Sequence, residues 1–377
     1  MKGVTKENIK KYALNEFLTE YKELNTDNKY RPVAIGRYGI RKRESIYSKE
    51  LAKDYSKNKL IHKGTLTVGM GSKQIDIGIL IEDETFAVSP AYHTYEIQGI
   101  RCKYLEYCLQ SKNIEMFSLY AKRGSRQGKS IDLKRWLTYK IPVYSEKDQI
   151  VIEENLNKIN YVIELRRKQI DLLDELVKAR FVEMFGDEKK QIIMRDVCSI
   201  ITDGTHQPPD FKNIGIPFIF VSNIAGDKLT YNVEKYIDQD TYDEFIKRTP
   251  IEVGDVLLST VGSYGHAAVV KENKKFLFQR HIAYLKPKSE LINSDYLHGA
   301  ILSPNVQEQI ERAIKGIAQK TLNLSEVKKL VIPLPSMEKQ NQFASFVKEI
   351  DKSRSRIQKS LEASQELFDS LMQEYFG

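Results

Sequence analysis

Few stretches of this sequence pair residue types at a spacing that catalysis would use. Pro209-Asp210 followed by Glu272-Asn273-Lys274 imitates the Pro-Asp…Glu-x-Lys arrangement whose carboxylates hold Mg²⁺ for phosphodiester hydrolysis. The pattern is short and degenerate, and Glu272 and Lys274 sit in KENKK, which reads more simply as a solvated turn. Gln207-Pro208-Pro209-Asp210 approaches the Asn/Asp-Pro-Pro-aromatic loop of an amino-methyltransferase. It lacks the acceptor group and the stacking aromatic at the needed places. Gly124-SRQGKS has the Lys-Ser pair of a phosphate-cradling loop, one residue short of the required spacing. The six histidines show no HxxxH or HxH spacing, so no zinc site is expected. Cys102, Cys108 and Cys198 are too few and too scattered for a disulfide framework.

What remains is binding chemistry. The net charge is +8, which permits a nucleic-acid partner without demanding one. Its distribution is more informative. Between Arg101 and Lys140 there are ten Lys/Arg against three Asp/Glu, and a second basic knot holds Arg37, Arg41, Lys42 and Arg43. Charge makes these four, with Lys122, Arg123, Arg126 and Lys129, candidates for phosphate or guanine contacts; the competing reading is a solvated basic face. In the second half the candidates are Thr205 and His206, then Ser263, Tyr264 and His266 in the loop VGSYGHAAVV, with Arg280 and Lys320. Trp136 and Phe376 are expected to be packing residues rather than base-stacking ones.

The elements that must position these residues come in two copies. Residues 141–186 align without a gap on 332–377, with eleven identities. These include Ile141/Ile332, Pro142/Pro333, Ser145/Ser336, Gln149/Gln340, Phe185/Phe376 and Gly186/Gly377. Upstream, Lys63-GTLTVGMGS resembles Val253-GDVLLSTVGS. Such self-similarity predicts two copies of one module, a globular domain followed by a long helix. A heptad seam runs through the first helix at Leu156, Ile159, Ile163, Arg166, Ile170, Leu173, Val177, Arg180 and Met184. In the second it runs through Val347, Ile350, Arg354, Ile357, Leu361, Ser364, Phe368, Leu371 and Tyr375. Seven of nine positions are apolar in each, so each helix buries a stripe over several heptads, as a coiled coil does. About 35 helical residues make a rod of roughly 50 Å. Antiparallel pairing of the rods would put the two domains at opposite ends, related by an approximate two-fold axis, as suits two half-sites on DNA.

The globular parts read as mixed α and β. Short strands are expected at 65–71, 75–81, 85–90, 216–224, 255–262, 267–270 and 281–287, and helices at 104–119, 242–248 and 296–313. The fold class is therefore α+β: two mixed α/β domains, 1–140 and 187–331, alternating with two long helices, 141–186 and 332–377. The first residues are polar and no stretch approaches the ~20 apolar residues that span a bilayer, so a cytoplasmic protein is expected.

These phrases together resemble the specificity subunit of type I restriction-modification systems. The resemblance covers essentially the whole chain. It is carried by the repeated Ile-Pro…Gln phrase with its helix, by Gly316, Gln319, Lys320 and Leu322 before the second copy, and by Asp203-GTHQPPDF and Gly215-IPFIFVSNI. It implies a non-catalytic, DNA-binding subunit whose two target-recognition domains each read half of a split target. It also implies two methyltransferase subunits docked on the helices, with restriction subunits joining through those. S-adenosylmethionine, ATP and Mg²⁺ would then belong to the partner subunits, with no cofactor on this chain. Two rival readings are a stand-alone nuclease or fused methyltransferase, and a coiled-coil adaptor that never touches bases.

Overall fold

In the computed structural model, residues 9–36, 39–43, 46, 52, 54–123, 129–314 and 320–377 are described, with the backbone alone for Arg123 and Lys129. The chain forms two compact units, Met1–Arg166 with Ser360–Gly377, and Arg167–Lys359. Each unit thus takes half of each long helix.

The first unit is built on a four-stranded antiparallel sheet in the order Leu18–Glu20, His93–Ile97, Thr65–Met70, Ile75–Ile79. Side chains alternate across a strand, so Leu66, Val68, Ile75, Ile77 and Ile79 fall on one buried face. Against them pack Tyr104, Leu105 and Leu109 of the helix Cys102–Ser111, together with fully buried Trp136. Trp136 is a core residue, as expected. The second unit repeats the plan, in the order Cys198–Asp203, Ile282–Pro287, Val256–Ser259, Ala267–Val269. Here both faces are buried: Val256, Leu258 and Leu285 lie on one side, and Leu257, Ile282 and Tyr284 on the other, with Phe276 and Phe278. A further sheet orders Tyr236–Ile237, Ile216–Ile219 and Leu277–Phe278.

One constraint starts the central strand in both modules. The Gly64 N–H donates to the Leu80 carbonyl at 2.7 Å, and the Gly254 N–H to the Val270 carbonyl at 2.8 Å. Both glycines have positive φ, +85° and +99°, where a side chain would be strained. The sheets therefore correspond at an offset of 190 residues, while the helices correspond at 191.

The long helices are Glu146–Phe185 and Met337–Phe376, 40 residues each, or about 60 Å. They exceed the expected length because they begin directly after the capping serines. The Ser145 hydroxyl accepts the Asp148 N–H at 3.2 Å, and the Ser336 hydroxyl accepts the Lys339 N–H at 3.5 Å. The other repeated residues have equally concrete roles. Tyr104 donates its hydroxyl to the Pro142 carbonyl and Tyr296 to the Pro333 carbonyl, both at 2.7 Å. The Gln149 amide donates to the Tyr144 carbonyl at 2.9 Å while its oxygen accepts the Arg101 N–H at 3.2 Å. Gln340 does the same with Pro335 and Asn293, at 3.0 and 2.9 Å. Phe376 packs edge-on against Tyr104 with ring centroids 5.4 Å apart, and Phe185 against Tyr296 at 4.9 Å. Each module's tyrosine thus meets the phenylalanine that ends the other module's helix. In each unit the start of one helix lies beside the end of the other, which makes the pairing antiparallel.

The expected seam positions are partly or wholly covered in the structure. Leu156, Ile159, Ile163, Val347, Ile350 and Leu371 are buried, and Ile170, Leu173, Val177, Ile357, Leu361 and Phe368 are half-buried. Two expected helices are broken. The stretch 296–313 divides into Ser294–Ile301 and Pro304–Ala313, because the residue before a proline is pushed out of helical geometry and proline favours the first turn. The stretch 104–119 divides into Cys102–Ser111 and Asn113–Tyr120 at Lys112. The expected helix 242–248 is Gln239–Phe245, begun by Asp238, whose carboxylate caps the Thr241 N–H at 2.9 Å.

Candidate nucleic-acid interface

The second-module candidates converge at one end of its sheet. There the strand Cys198–Asp203 ends, Ile282–Pro287 begins, and a hairpin loop joins Val256–Ser259 to Ala267–Val269. The Thr205 N–H donates to the Phe278 carbonyl at 3.0 Å, its hydroxyl to the same oxygen at 3.3 Å, and its carbonyl accepts the Arg280 N–H at 3.1 Å. The Thr260 N–H donates to the His281 carbonyl at 2.9 Å, and the Gly262 N–H to the Lys320 carbonyl at 3.3 Å. Backbone bonds thus bring Thr205, Arg280, the loop holding Ser263 and Lys320 onto one edge, although 115 residues separate the first from the last.

The Asp-Gly-Thr-His phrase has a local logic. A Cβ on Gly204 would lie 2.2 Å from the Phe278 carbonyl oxygen, so only glycine allows this close approach. Asp203, nearly covered, accepts from exposed His206 (Nε2 to Oδ2, 3.0 Å) and from Arg248. Arg248 also lies 3.4 Å from the Thr202 hydroxyl and from His206 Nε2. The acid holds an imidazole and a guanidinium side by side at the surface, where the guanidinium can donate to phosphate or base acceptors and the other imidazole nitrogen can hydrogen-bond to a base edge. Exposed Arg280 lies next to His281, which burial, and then the Arg280 charge, push below the ordinary histidine range.

The hairpin loop turns on Gly262 and Gly265, with φ of +74° and +84°. Ser263 is exposed at its tip. Tyr264 donates to Glu311 at 2.9 Å, with the Lys320 ammonium 5.7 Å from its ring centroid. The His266 Nδ1 faces Asp227 at 2.9 Å, half-buried. Sequence reading missed four partners here: Asp203, Arg248, Asp227 and Glu311. Only Asp203 lay in a noticed phrase; nothing in spacing marks the others, which reach the edge through the fold.

In the first module the basic candidates lie on two separate hairpins. Arg41 and Lys42 are on Val33–Gly36/Gly39–Lys42, and Lys122, Arg123 and Lys129 on Ala121–Arg123/Lys129–Ile131. Arg41 is exposed and Arg43 half-buried. Lys42 lies 3.5 Å from Glu84, and Lys122 lies 3.7 Å from Asp132. Arg37 and Arg126 lie outside the described residues, as do Gly316 and Gln319. The nuclease-like residues are engaged locally: Asp210 with Lys212, and Glu272 with Lys274 at 2.6 Å. Among the described residues no group of three or more His, Cys, Asp and Glu side chains is placed to hold a metal ion, and no helix is long and apolar enough to cross a membrane.

Residues 188–365 match the family described as type I restriction modification DNA specificity domain. The chain is 30% identical, over 158 residues, to the type I restriction enzyme EcoBI specificity subunit of Escherichia coli. Over these stretches the chain is similar to type I specificity subunits. That match covers 42% of this chain and 33% of the relative. A specificity subunit of Methanocaldococcus jannaschii, putative type I restriction enzyme MjaX, is 25% identical over 189 residues, covering 48% of this chain and 44% of the relative. The matched stretches therefore span a third to under half of these relatives' lengths. Similarity in fold to a solved structure extends across the full chain. The S subunit structure from M. genitalium superposes with a TM-score of 0.53 at 14% identity, covering 100% of this chain and 98% of that one.

Proposed function

We propose that this chain is the DNA sequence-specificity subunit of a type I restriction-modification complex. Each recognition domain, 1–140 and 187–331, reads one half of a bipartite duplex target. The helical segments 141–186 and 332–377 set the spacing and dock two methyltransferase subunits, through which restriction subunits join. The subunit is non-catalytic and cytoplasmic; it directs adenine methylation, or cleavage of unmodified DNA, by partners that carry S-adenosylmethionine, ATP and Mg²⁺.

The observation that carries this reading is the edge of the second sheet. Two histidines, two arginines, a lysine, a serine and a tyrosine from five segments of the chain meet there, and the relatives this chain resembles are named specificity subunits. Side chains of these types can tell base edges apart in the major groove, and phosphate contacts alone cannot.

The test is selection from a randomised DNA pool with the chain purified together with its methyltransferase subunit. Recovery of a split motif is expected. Equal recovery of all sequences, with only the steep salt dependence of phosphate contacts, would instead indicate a coiled-coil adaptor. DNA cleavage by the chain alone with Mg²⁺ would indicate a nuclease.

A further inference from the structure

The two sheets share one strand order, and the register that superposes their glycines also superposes their edges. Leu66 pairs with Ile79 and Tyr95 as Val256 pairs with Val269 and Leu285, each at the offset of 190 residues. The edge that gathers Thr205, His206, Ser263 and Arg280 therefore has a counterpart in the first module. It consists of the turn 71–74, between Thr65–Met70 and Ile75–Ile79, and the stretch 89–92 leading into His93–Ile97. Charge counting passed over this edge, because its turn carries the single cation Lys73.

The turn is fixed in shape. The Gly71 N–H donates to the Gln74 carbonyl at 3.1 Å. A Cβ on Gly71 would come within 2.6 Å of that carbonyl and of the Asp76 carboxylate. Lys73 is exposed at the tip with Gln74 beside it, half-exposed. Among the described residues neither side chain has a hydrogen-bond partner. Beside the turn opens a cavity of about 720 Å³, lined by Gly69, Met70, Tyr92, His93, Arg43 and Ser130. The Tyr92 ring lies where a Cβ on Gly69 would be, so glycine lets that ring form the wall. The His93 imidazole makes no hydrogen bond among the described residues. Burial pushes its pKa below the ordinary histidine value, so at neutral pH it offers one donor and one acceptor nitrogen.

We infer that this edge is where the first module reads duplex DNA, with Lys73 on a phosphate or guanine, and Gln74 and His93 on base edges. Glutamine presents a donor beside an acceptor, the pattern that an adenine edge answers, and a neutral histidine can give or accept a single hydrogen bond at a base edge. The inference rests on the sequence-recognition function proposed above.

The test is modification mapping of DNA from cells that co-express the full chain with its methyltransferase subunit. Lys73→Ala and Gln74→Ala change an exposed turn, so folding is not in question, and His93→Gln keeps a polar side chain in the cavity. Each variant should lower the modified fraction at the original motif about tenfold, or relax positions within one half-site, the same half for all three. The other half should be unchanged, as should co-purification with the partner. An unaltered motif and modified fraction in Lys73→Ala and Gln74→Ala would overturn the inference. Absence of any motif with the unaltered chain would overturn the recognition function itself, and this inference with it.

Discussion

His298 shows how a single residue ties the edge of the second sheet to its support. It is half-buried, with Nε2 2.9 Å from the Ala267 carbonyl and 3.1 Å from that of Asp227. Asp227 in turn holds His266. Burial pushes the His298 pKa below its ordinary value, with Lys271 adding to the shift and the two carbonyls and Asp227 opposing it. As pH falls through about 6.5 the unfolded chain takes up a proton that the folded one resists. Stability from this group is therefore full above that pH and lost below it. Urea unfolding at pH 7.5 and pH 5.5 should show a larger fall in midpoint for the unaltered chain than for His298→Gln. Equal falls would remove His298 from the account. At Gly204 the expectation is steric. Gly204→Ala drives a methyl into the Phe278 carbonyl and should cost about 1–3 kcal/mol, measured by the same unfolding, with weakened DNA selection by the second module.

At the scale of elements, the repeated phrase is a set of joints between helix and sheet. Gln340→Ala would strip the Asn293 N–H and the Leu291 and Pro335 carbonyls of their partner. The loss of that buried group should be about 1–3 kcal/mol. Phe185→Ala, in a cluster with Phe181, Tyr296 and Phe343, should cost about 3–5 kcal/mol. A smaller loss in either case would mean the joints are decorative. Much of this was legible in the sequence. The heptads forecast which helix positions are covered, because a 3.5-residue repeat fixes the stripe whatever the stripe meets. Arg354 shows the limit. It occupies a seam position yet is only 12% exposed in its side chain and bridges Asp174 and Asp351, a pairing across helices that no local pattern announces. The basic hairpins of the first module were visible through charge alone, whereas Lys73 and Gln74 gained meaning only through strand register.

For the whole molecule, the consequential finding is that the last residues belong with the first. Leu361, Phe368, Leu371 and Phe376 pack in the core of the unit that begins the chain. Tyr375 accepts the Tyr144 hydroxyl on its carbonyl at 3.1 Å and the Asn155 amide on its own hydroxyl at 3.2 Å. Removing residues 360–377 should therefore loosen 9–166 and spare 190–340. Hydrogen exchange read by mass spectrometry would show this, and protection lost first in 190–340 would contradict it. The duplication could be seen in sequence; the exchange of helix halves could not, since it is set by which phenylalanine meets which tyrosine. The central claim is that two alike modules read two halves of one target. Modification mapping with His206→Ala and Arg280→Ala, beside the unaltered chain and its methyltransferase partner, tests it most directly. The account predicts a split motif in which both variants relax one half and leave the other intact. An unchanged motif, or loss of both halves together while the partners still co-purify, would contradict it.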